Sequence, residues 1–155
     1  MSDINSIYKF GRTAVWLNII GIITSGLLFP VLSTILFPQP QWQNPQLFID
    51  SFHPFQTGTF FCGYILILGS LMTFITLYKL TSEPRKLIGL TALIINIIFT
   101  PVVFLNYIIQ TTYIPYLAMN NPAEANFIIP VFTMANPGSF AWALEMYGWG
   151  GIGLS

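Results

Sequence analysis

The sequence contains very little charge. Only 6% of its 155 residues are Asp, Glu, Lys or Arg, whereas hydrophobic residues make up 54%. A water-soluble domain carries about 25% charged residues, and a disordered chain combines low hydrophobicity with high net charge. Both classes are therefore excluded, and the composition is that of an integral membrane protein.

Two other residue types are nearly absent. The one cysteine, Cys62, excludes an internal disulfide and a thiolate metal cage, and the one histidine, His53, excludes haem ligation by two histidines. Five basic residues balance five acidic ones, so the chain has no basic field that would hold nucleic acid. We expect no cofactor and no nucleic-acid partner.

Three apolar runs are long enough to cross a bilayer, at residues 14–37, 58–80 and 87–113. Such a helix takes about 20 residues, and continuous rather than alternating runs indicate helices and not barrel strands. The first run is longer than the apolar part of a signal peptide, and no Ala-x-Ala site follows it. The sequence predicts one all-α membrane domain over residues 1–155, with a bundle of three full transmembrane helices and a retained first span.

A fourth apolar segment, residues 139–155, is shorter and contains Glu145. About 16 helical residues rise about 24 Å, less than a hydrocarbon core of about 30 Å. We expect this helix to enter from the outer side and the natural chain to continue past Ser155. A half-helix packed against its neighbours and a helix lying in the outer interface remain as alternatives.

The basic residues predict the orientation. They precede the first helix or cluster around the turn at residues 81–86, at positions Lys9, Arg12, Lys79, Arg85 and Lys86. The connections 38–57 and 114–138 contain neither Lys nor Arg. The positive-inside rule places the N-terminus and the 81–86 turn in the cytoplasm and both long connections outside. A bacterial inner (plasma) membrane fits this arrangement.

Asparagine-proline pairs punctuate the long connections. Asparagine is a strong helix N-cap and proline suits the first helical position. We therefore expect short helices after Asn44 and Asn121, and a start of the fourth segment at Asn136. These connections should be ordered structures at the outer headgroup boundary.

Polar residues follow one stripe of the third helix. Asn96, Thr100, Asn106 and Gln110 fall within roughly 120° of one another around the helix axis, so this face should point into the bundle. Two interpretations stay open: hydrogen bonding between helices, and the lining of a wet or ligand-holding cavity. Pro101 in this helix, like Pro30 in the first, predicts a kink.

Glu145 is the most informative single residue, because a carboxylate within an apolar span is expensive and is a functional hypothesis by default. A depth of about 9–13 Å would bring it level with Asn106, with Gln110 one turn above. We interpret Glu145, Asn106, Gln110 and Asn96 as a candidate ligand or proton site. Without a basic neighbour Glu145 should favour its neutral form, as a proton carrier or hydrogen-bond donor. Alternatively, the segment is interfacial and Glu145 faces water.

Asp50 and His53 form a second polar group in the first long connection, three residues apart and thus on one helical face. With Glu124 or Glu145 they could hold a divalent ion. Neither a second histidine nor an HExxH pattern supports this, and an interfacial polar role for His53 is the alternative. We expect no metal and assign no catalytic residue.

Small residues predict close helix packing. Gly21 and Ser25 form a small-xxx-small pair in the first helix, and Gly63 serves the second. The C-terminal glycine run, residues 148–153, resembles a nucleotide loop only superficially, because that motif needs a strand before it and a helix after it. We interpret it as a flexible or tightly packed helical segment.

Three functions are compatible with these patterns. The first is binding, transport or sensing of a small molecule or proton at the Glu145 site. The second is a non-catalytic accessory subunit whose polar residues tie helices together. The third is an intramembrane enzyme acting on a lipid, with Glu145 or His53 as acid or base, but no catalytic pair supports it. The expected partners are the lipid bilayer, a small-molecule ligand, and further copies or a larger membrane complex.

Overall fold

The computed structural model describes residues 2–155, and its description of side chains covers positions 4–121 and 123–155. This part of the chain is helical and contains no strand. Its α-helices are α1 (Ser2–Gly21), α2 (Phe29–Leu36), α3 (Pro45–Ser51), α4 (Gly58–Leu80), α5 (Lys86–Ile108), α6 (Ile114–Asn120), α7 (Pro122–Phe132) and α8 (Phe140–Gly153). Shorter helical segments are the π-helices Ile22–Leu28 and Ile109–Tyr113 and the 3-10 turns Pro54–Thr57 and Glu83–Arg85.

Three continuous helical stretches in the described chain are long and apolar enough to cross a membrane: Ile4–Leu36, Pro54–Leu80 and Glu83–Asn120. The expectation of an all-helical chain with three long apolar helices is confirmed. The first helix begins well before position 14 and the third continues past position 113. An apolar run covers only the part of a helix that suits lipid. The helix itself continues beyond the run, because charged side chains can extend to water from a backbone that remains helical.

Both π-helical segments end just before a proline. Ile22–Leu28 precedes Pro30, and Ile109–Tyr113 precedes Pro115. Proline has no N–H to donate to the preceding turn, and a wider π turn re-spaces the backbone there. A π-helix thus precedes Pro30, whereas Pro101 lies within regular α-helix, and the kinks at both prolines stay predictions.

The long helices pack in the order α1, α4, α5, α8. Asn18 on α1 donates through Nδ2 to Thr73 Oγ1 on α4 over 2.9 Å, and Gly21 lies directly against the backbone of Leu66. A side chain at Gly21 would displace that backbone, so the small residue allows the close approach.

Helix α8 lies antiparallel along α5. Gly148 on α8 faces Val103 on α5, and Gly151 faces the ring of Phe99, one turn nearer the start of α5. Gly148 and Gly151 therefore form a tightly packed helical face, whereas Gly150 and Gly153 face open space. The 14 residues of α8 rise about 21 Å, so this helix is shorter than a bilayer core of about 30 Å.

Helices α3, α6 and α7 form a cap over one end of this row, here called the connection cap. They share a core of buried apolar side chains: Phe48, Ile114, Leu117, Ala118, Ala125 and Ile129. Asn44 Oδ1 accepts from Leu47 N over 2.8 Å at the start of α3, and Asn121 Oδ1 accepts from Glu124 N over 3.3 Å at the start of α7. The two expected short helices are confirmed.

The third Asn-Pro pair has a different role from the one expected. Helix α8 starts after Ser139, whose Oγ accepts from Trp142 N over 3.3 Å. Asn136 instead donates through Nδ2 to Pro130 O over 2.6 Å and accepts from Gly138 N over 3.1 Å. It stabilises the turn between α7 and α8, because its side chain bonds backbone on both sides of that turn.

Candidate functional site

The carboxylate of Glu145 on α8 lies against α5 and accepts three hydrogen bonds. Asn106 donates through Nδ2 to Oε2 over 2.7 Å, and the Tyr107 hydroxyl donates to Oε1 over 2.9 Å. Trp149, one turn along α8, donates through Nε1 to Oε1 over 3.0 Å. The Trp149 Nε1 also lies 3.2 Å from the Tyr107 oxygen. Two neighbouring residues of α5 and one of α8 therefore hold the acid.

Gln110 in the π segment is anchored by the backbone between α7 and α8. Its Nε2 donates to the carbonyl oxygen of Phe132 over 2.7 Å, and its Oε1 accepts from Met134 N over 3.0 Å. A backbone carbonyl oxygen can only accept a hydrogen bond and a backbone N–H can only donate one. These two groups therefore determine which end of the Gln110 amide faces which partner.

That anchor determines the direction of the whole chain of bonds. Gln110 Nε2 also donates to Asn106 Oδ1 over 3.3 Å. With its oxygen occupied in this way, Asn106 must present its NH₂ group to Glu145. The backbone at Phe132 and Met134 thus determines the orientation of the Gln110 amide, which in turn determines that of Asn106. Glu145 is the acceptor at the end of this chain of hydrogen bonds.

Glu145 consequently meets hydrogen-bond donors in this structure. Burial of Glu145 is the larger influence and favours its neutral form, whereas the hydrogen bonds that Asn106, Tyr107 and Trp149 donate to it favour the ionised form. The sequence predicts a neutral acid, in the direction in which burial acts, and this stays a prediction, whereas in all three contacts Glu145 is the acceptor. Two of these donors, Tyr107 and Trp149, are not part of the amide stripe.

A cavity of about 550 Å³ adjoins this group. Glu145, Gln110 and Tyr107 form part of its wall, and it is a cleft and not an enclosed void. The remaining lining includes four aromatic residues, Phe48, Phe52, Phe60 and Trp142, and the uncharged polar residues Gln39, Gln56, Thr57, Thr59 and Thr133. Trp142 is held in place by donating through Nε1 to Met134 O over 2.9 Å.

Asn96 lies apart from the other three predicted site residues. It donates through Nδ2 to Ser70 Oγ on α4 over 3.5 Å and accepts from Thr100 over 3.3 Å. Ten residues along a helix separate it from Asn106 by about 15 Å, so it cannot reach the same cavity. Its contact fits the alternative interpretation, a hydrogen bond between helices.

Asp50 and His53 are both exposed and do not form a joint site. Asp50 Oδ1 accepts from Gln46 Nε2 over 2.8 Å. His53 caps a 3-10 turn, because its Nδ1 accepts from Phe55 N over 3.2 Å, and its ring stacks on Phe37 with centroids 3.6 Å apart. Among the residues that the structure describes, no group of three or more His, Cys, Asp or Glu side chains could hold a metal ion.

Sequence reasoning missed Tyr107, Trp149 and Trp142. Trp149 carried a usable signal, because it lies four residues after Glu145 and such pairs share a helix face. Tyr107 directly follows Asn106. Because neighbouring residues on a helix do not share a face, the polar stripe on the third helix did not include Tyr107. Trp142 carried no such signal, since its partner is a backbone carbonyl in a turn.

Comparison with protein-family models, with curated protein sequences and with solved structures finds no match for this chain. Its class therefore follows from its own physical features. It is a helical protein whose described part contains three helices suited to crossing a membrane, and whose last helix presents a carboxylate at an aromatic cavity.

Proposed function

We propose that this chain is a multi-pass membrane protein that binds a small molecule in the cavity beside Glu145, for transport or sensing. The observation that carries this proposal is the position of Glu145 and Gln110 in the cavity wall, where the buried Asn106 joins them by hydrogen bonds. A volume of about 550 Å³ lies within the roughly 300–1,000 Å³ of small-molecule sites. An aromatic lining with a few converging polar groups is also typical of such sites.

The proposal includes an orientation. Arg12 and Lys86 lie near the end of the helix row opposite the connection cap, since α1 and α5 begin there. The positive-inside rule favours a cytoplasmic location for that end. The cavity would then open near the outer leaflet, and α8 would descend from the outer side. A bacterial inner membrane is the compartment that we propose.

Native mass spectrometry of the detergent-solubilised full chain tests the proposal. We expect wild-type protein to carry a discrete bound mass that Glu145→Gln lacks. Glu83→Gln is the matched control, because it removes the same charge from an exposed side chain outside the cavity lining, and it should retain the bound mass. Spectra without any adduct in wild type and both variants, in protein purified under several mild detergents, would contradict a bound ligand.

A second candidate function, a structural accessory subunit, has its own supporting observation. In the described part of the chain every buried side-chain nitrogen or oxygen has a hydrogen-bond partner, so Glu145, Asn106 and Gln110 also serve to join α5 to α8 and its preceding turn. If this is their only role, Glu145→Gln lowers the unfolding temperature and changes neither ligand content nor any response to added compounds.

An intramembrane enzyme receives less support. Of the side chains lining the cavity, only Glu145 and Tyr107 are titratable, and Tyr107 already donates to Glu145. His53, the other candidate acid or base, does not line the cavity and caps a turn.

A further inference from the structure

The cavity contains a carboxylate that no basic side chain neutralises. The five Lys and Arg residues lie near the start of α1 and around the α4–α5 turn. Twenty residues of helix separate Lys86 from Asn106, the partner of Glu145, which corresponds to about 30 Å. The one salt bridge found in the described chain joins Lys86 Nζ to Glu83 Oε1 over 3.9 Å, at that distant turn.

The acid also has an acceptor position left over. Glu145 Oε1 accepts from Tyr107 and Trp149, whereas Oε2 accepts from Asn106. A carboxylate offers about four acceptor positions, so one remains on Oε2. Because Glu145 lines the cavity, a ligand N–H could occupy that position without displacing a protein donor.

The neighbouring donors are already engaged. The two N–H groups of Gln110 serve Phe132 O and Asn106 Oδ1, and the Asn106 amide nitrogen serves Glu145 and lies 3.6 Å from Met134 Sδ. An anionic ligand would therefore meet Glu145, whose neighbouring amide donors are occupied, and the other polar side chains of the lining carry no positive charge: Gln39, Gln56, Thr57, Thr59 and Thr133. That arrangement opposes anions by Coulomb repulsion.

Five aromatic rings contribute to the cavity wall. Phe48, Phe52, Phe60, Tyr107 and Trp142 all line the cavity. Rings of this kind bury an apolar body well, and their faces attract cations within about 6 Å. The wall thus suits a molecule that combines an apolar part with a positive charge.

We propose that the ligand of this cavity is an organic cation, an ammonium ion with an N–H group and an apolar body. The N–H donates to Oε2 of Glu145, and the apolar body packs among the aromatic rings. Its positive charge lies beside a partly buried Glu145 that has no basic side chain nearby, and this pairing favours the ionised form of the acid. This inference rests on the proposed function, since it names the chemistry of the same site.

The test compares each ammonium ion with its uncharged analogue. Phenethylammonium with phenylethanol, and hexylammonium with hexanol, are titrated calorimetrically into the full chain in detergent, with empty micelles as the blank. We expect each ammonium ion to bind about tenfold tighter than its alcohol, which corresponds to about 1.4 kcal/mol. Phenylpropanoate, the anion of similar shape, should not bind.

Three variants locate the effect. Glu145→Gln should bring each ammonium ion to the affinity of its alcohol, whereas Glu145→Asp, which keeps the charge, should retain a preference for the cation. Glu83→Gln should behave as wild type. Thermal unfolding of each variant shows whether it is folded, and the comparison within wild type stands even if Glu145→Gln does not fold.

The outcomes separate this inference from the proposed function. Equal binding of ammonium ions and alcohols to wild type, or no saturable binding of any ammonium ion, overturns the organic cation. If wild-type protein still carries an adduct that Glu145→Gln lacks, the small-molecule site stands with a different ligand class. Without such an adduct, both fail together.

Discussion

Asn106 Nδ2 donates to Glu145 Oε2 over 2.7 Å, and this bond links the third long helix to the last one. Because Asn106 also accepts from Gln110, it is the middle member of a chain that begins at backbone groups and ends at a carboxylate. A change at Asn106 therefore affects partners on both sides.

Asn106→Ala should destabilise the protein. The substitution leaves Glu145 Oε2 and one N–H of Gln110 without these partners, and a buried group left unsatisfied costs about 1–3 kcal/mol. We expect a lower unfolding temperature in detergent, measured by differential scanning fluorimetry. Asn120→Ala is the control, because Asn120 is exposed and donates only locally to Tyr116 O; equal effects of the two variants would contradict the network.

Gln110→Glu tests the direction of the hydrogen bonds. Gln110 Nε2 faces two oxygens, Phe132 O and Asn106 Oδ1, and a carboxylate there would place acceptor against acceptor. We expect a loss of about 2 kcal/mol or more in stability, measured by chemical or thermal unfolding.

The matched control for that variant is Gln41→Glu, the same substitution at an exposed position between α2 and α3. It should leave the unfolding temperature within error of wild type. A Gln110→Glu variant as stable as this control would mean that the amide is not held in the observed orientation.

Gly151→Ala tests the packing of α8 on α5. A methyl group at Gly151 would collide with the ring of Phe99, whereas one at Gly150 meets nothing within 4 Å. Overpacking costs typically about 1–3 kcal/mol, and alanine gains up to about 1 kcal/mol over glycine in a helix. We therefore expect Gly151→Ala to be less stable than wild type and Gly150→Ala to be equal or more stable, by thermal unfolding; the reverse order would rule out this packing.

Cysteine labelling tests the orientation. In a Cys62→Ser background, Gln41→Cys should react with a membrane-impermeant maleimide added to intact cells, because Gln41 lies in an exposed connection. Glu83→Cys, at the exposed α4–α5 turn, should react only after the membrane is opened. Labelling of position 83 alone in intact cells would show that the topology is the reverse of the one proposed, with the cavity on the cytoplasmic side.

The prediction of the candidate site from sequence was limited by spacing arguments. Asn106 and Gln110 are one helical turn apart, and counting inward from the outer boundary brought Glu145 to their level. The same periodicity grouped Asn96 with them, although Asn96 instead bonds Ser70 on α4. Helical periodicity predicts which residues share a face of the helix. Which neighbour each of those residues contacts depends on how the other helices pack along that face.

The amino-acid sequence by itself determined the class of protein, a helical chain with long apolar helices. Long apolar runs in a chain with 6% charged residues are suited to a lipid environment and not to water. It also determined the helix starts at Asn44 and Asn121, since capping is a local interaction within a few residues. Only the tertiary structure decided that Tyr107 and Trp149 join Glu145, and that aromatic rings from residues 48–60 line the same cleft as Tyr107 and Trp142. Those contacts depend on how α5, α8 and the connection cap pack, and packing between distant segments leaves no regular spacing in the sequence.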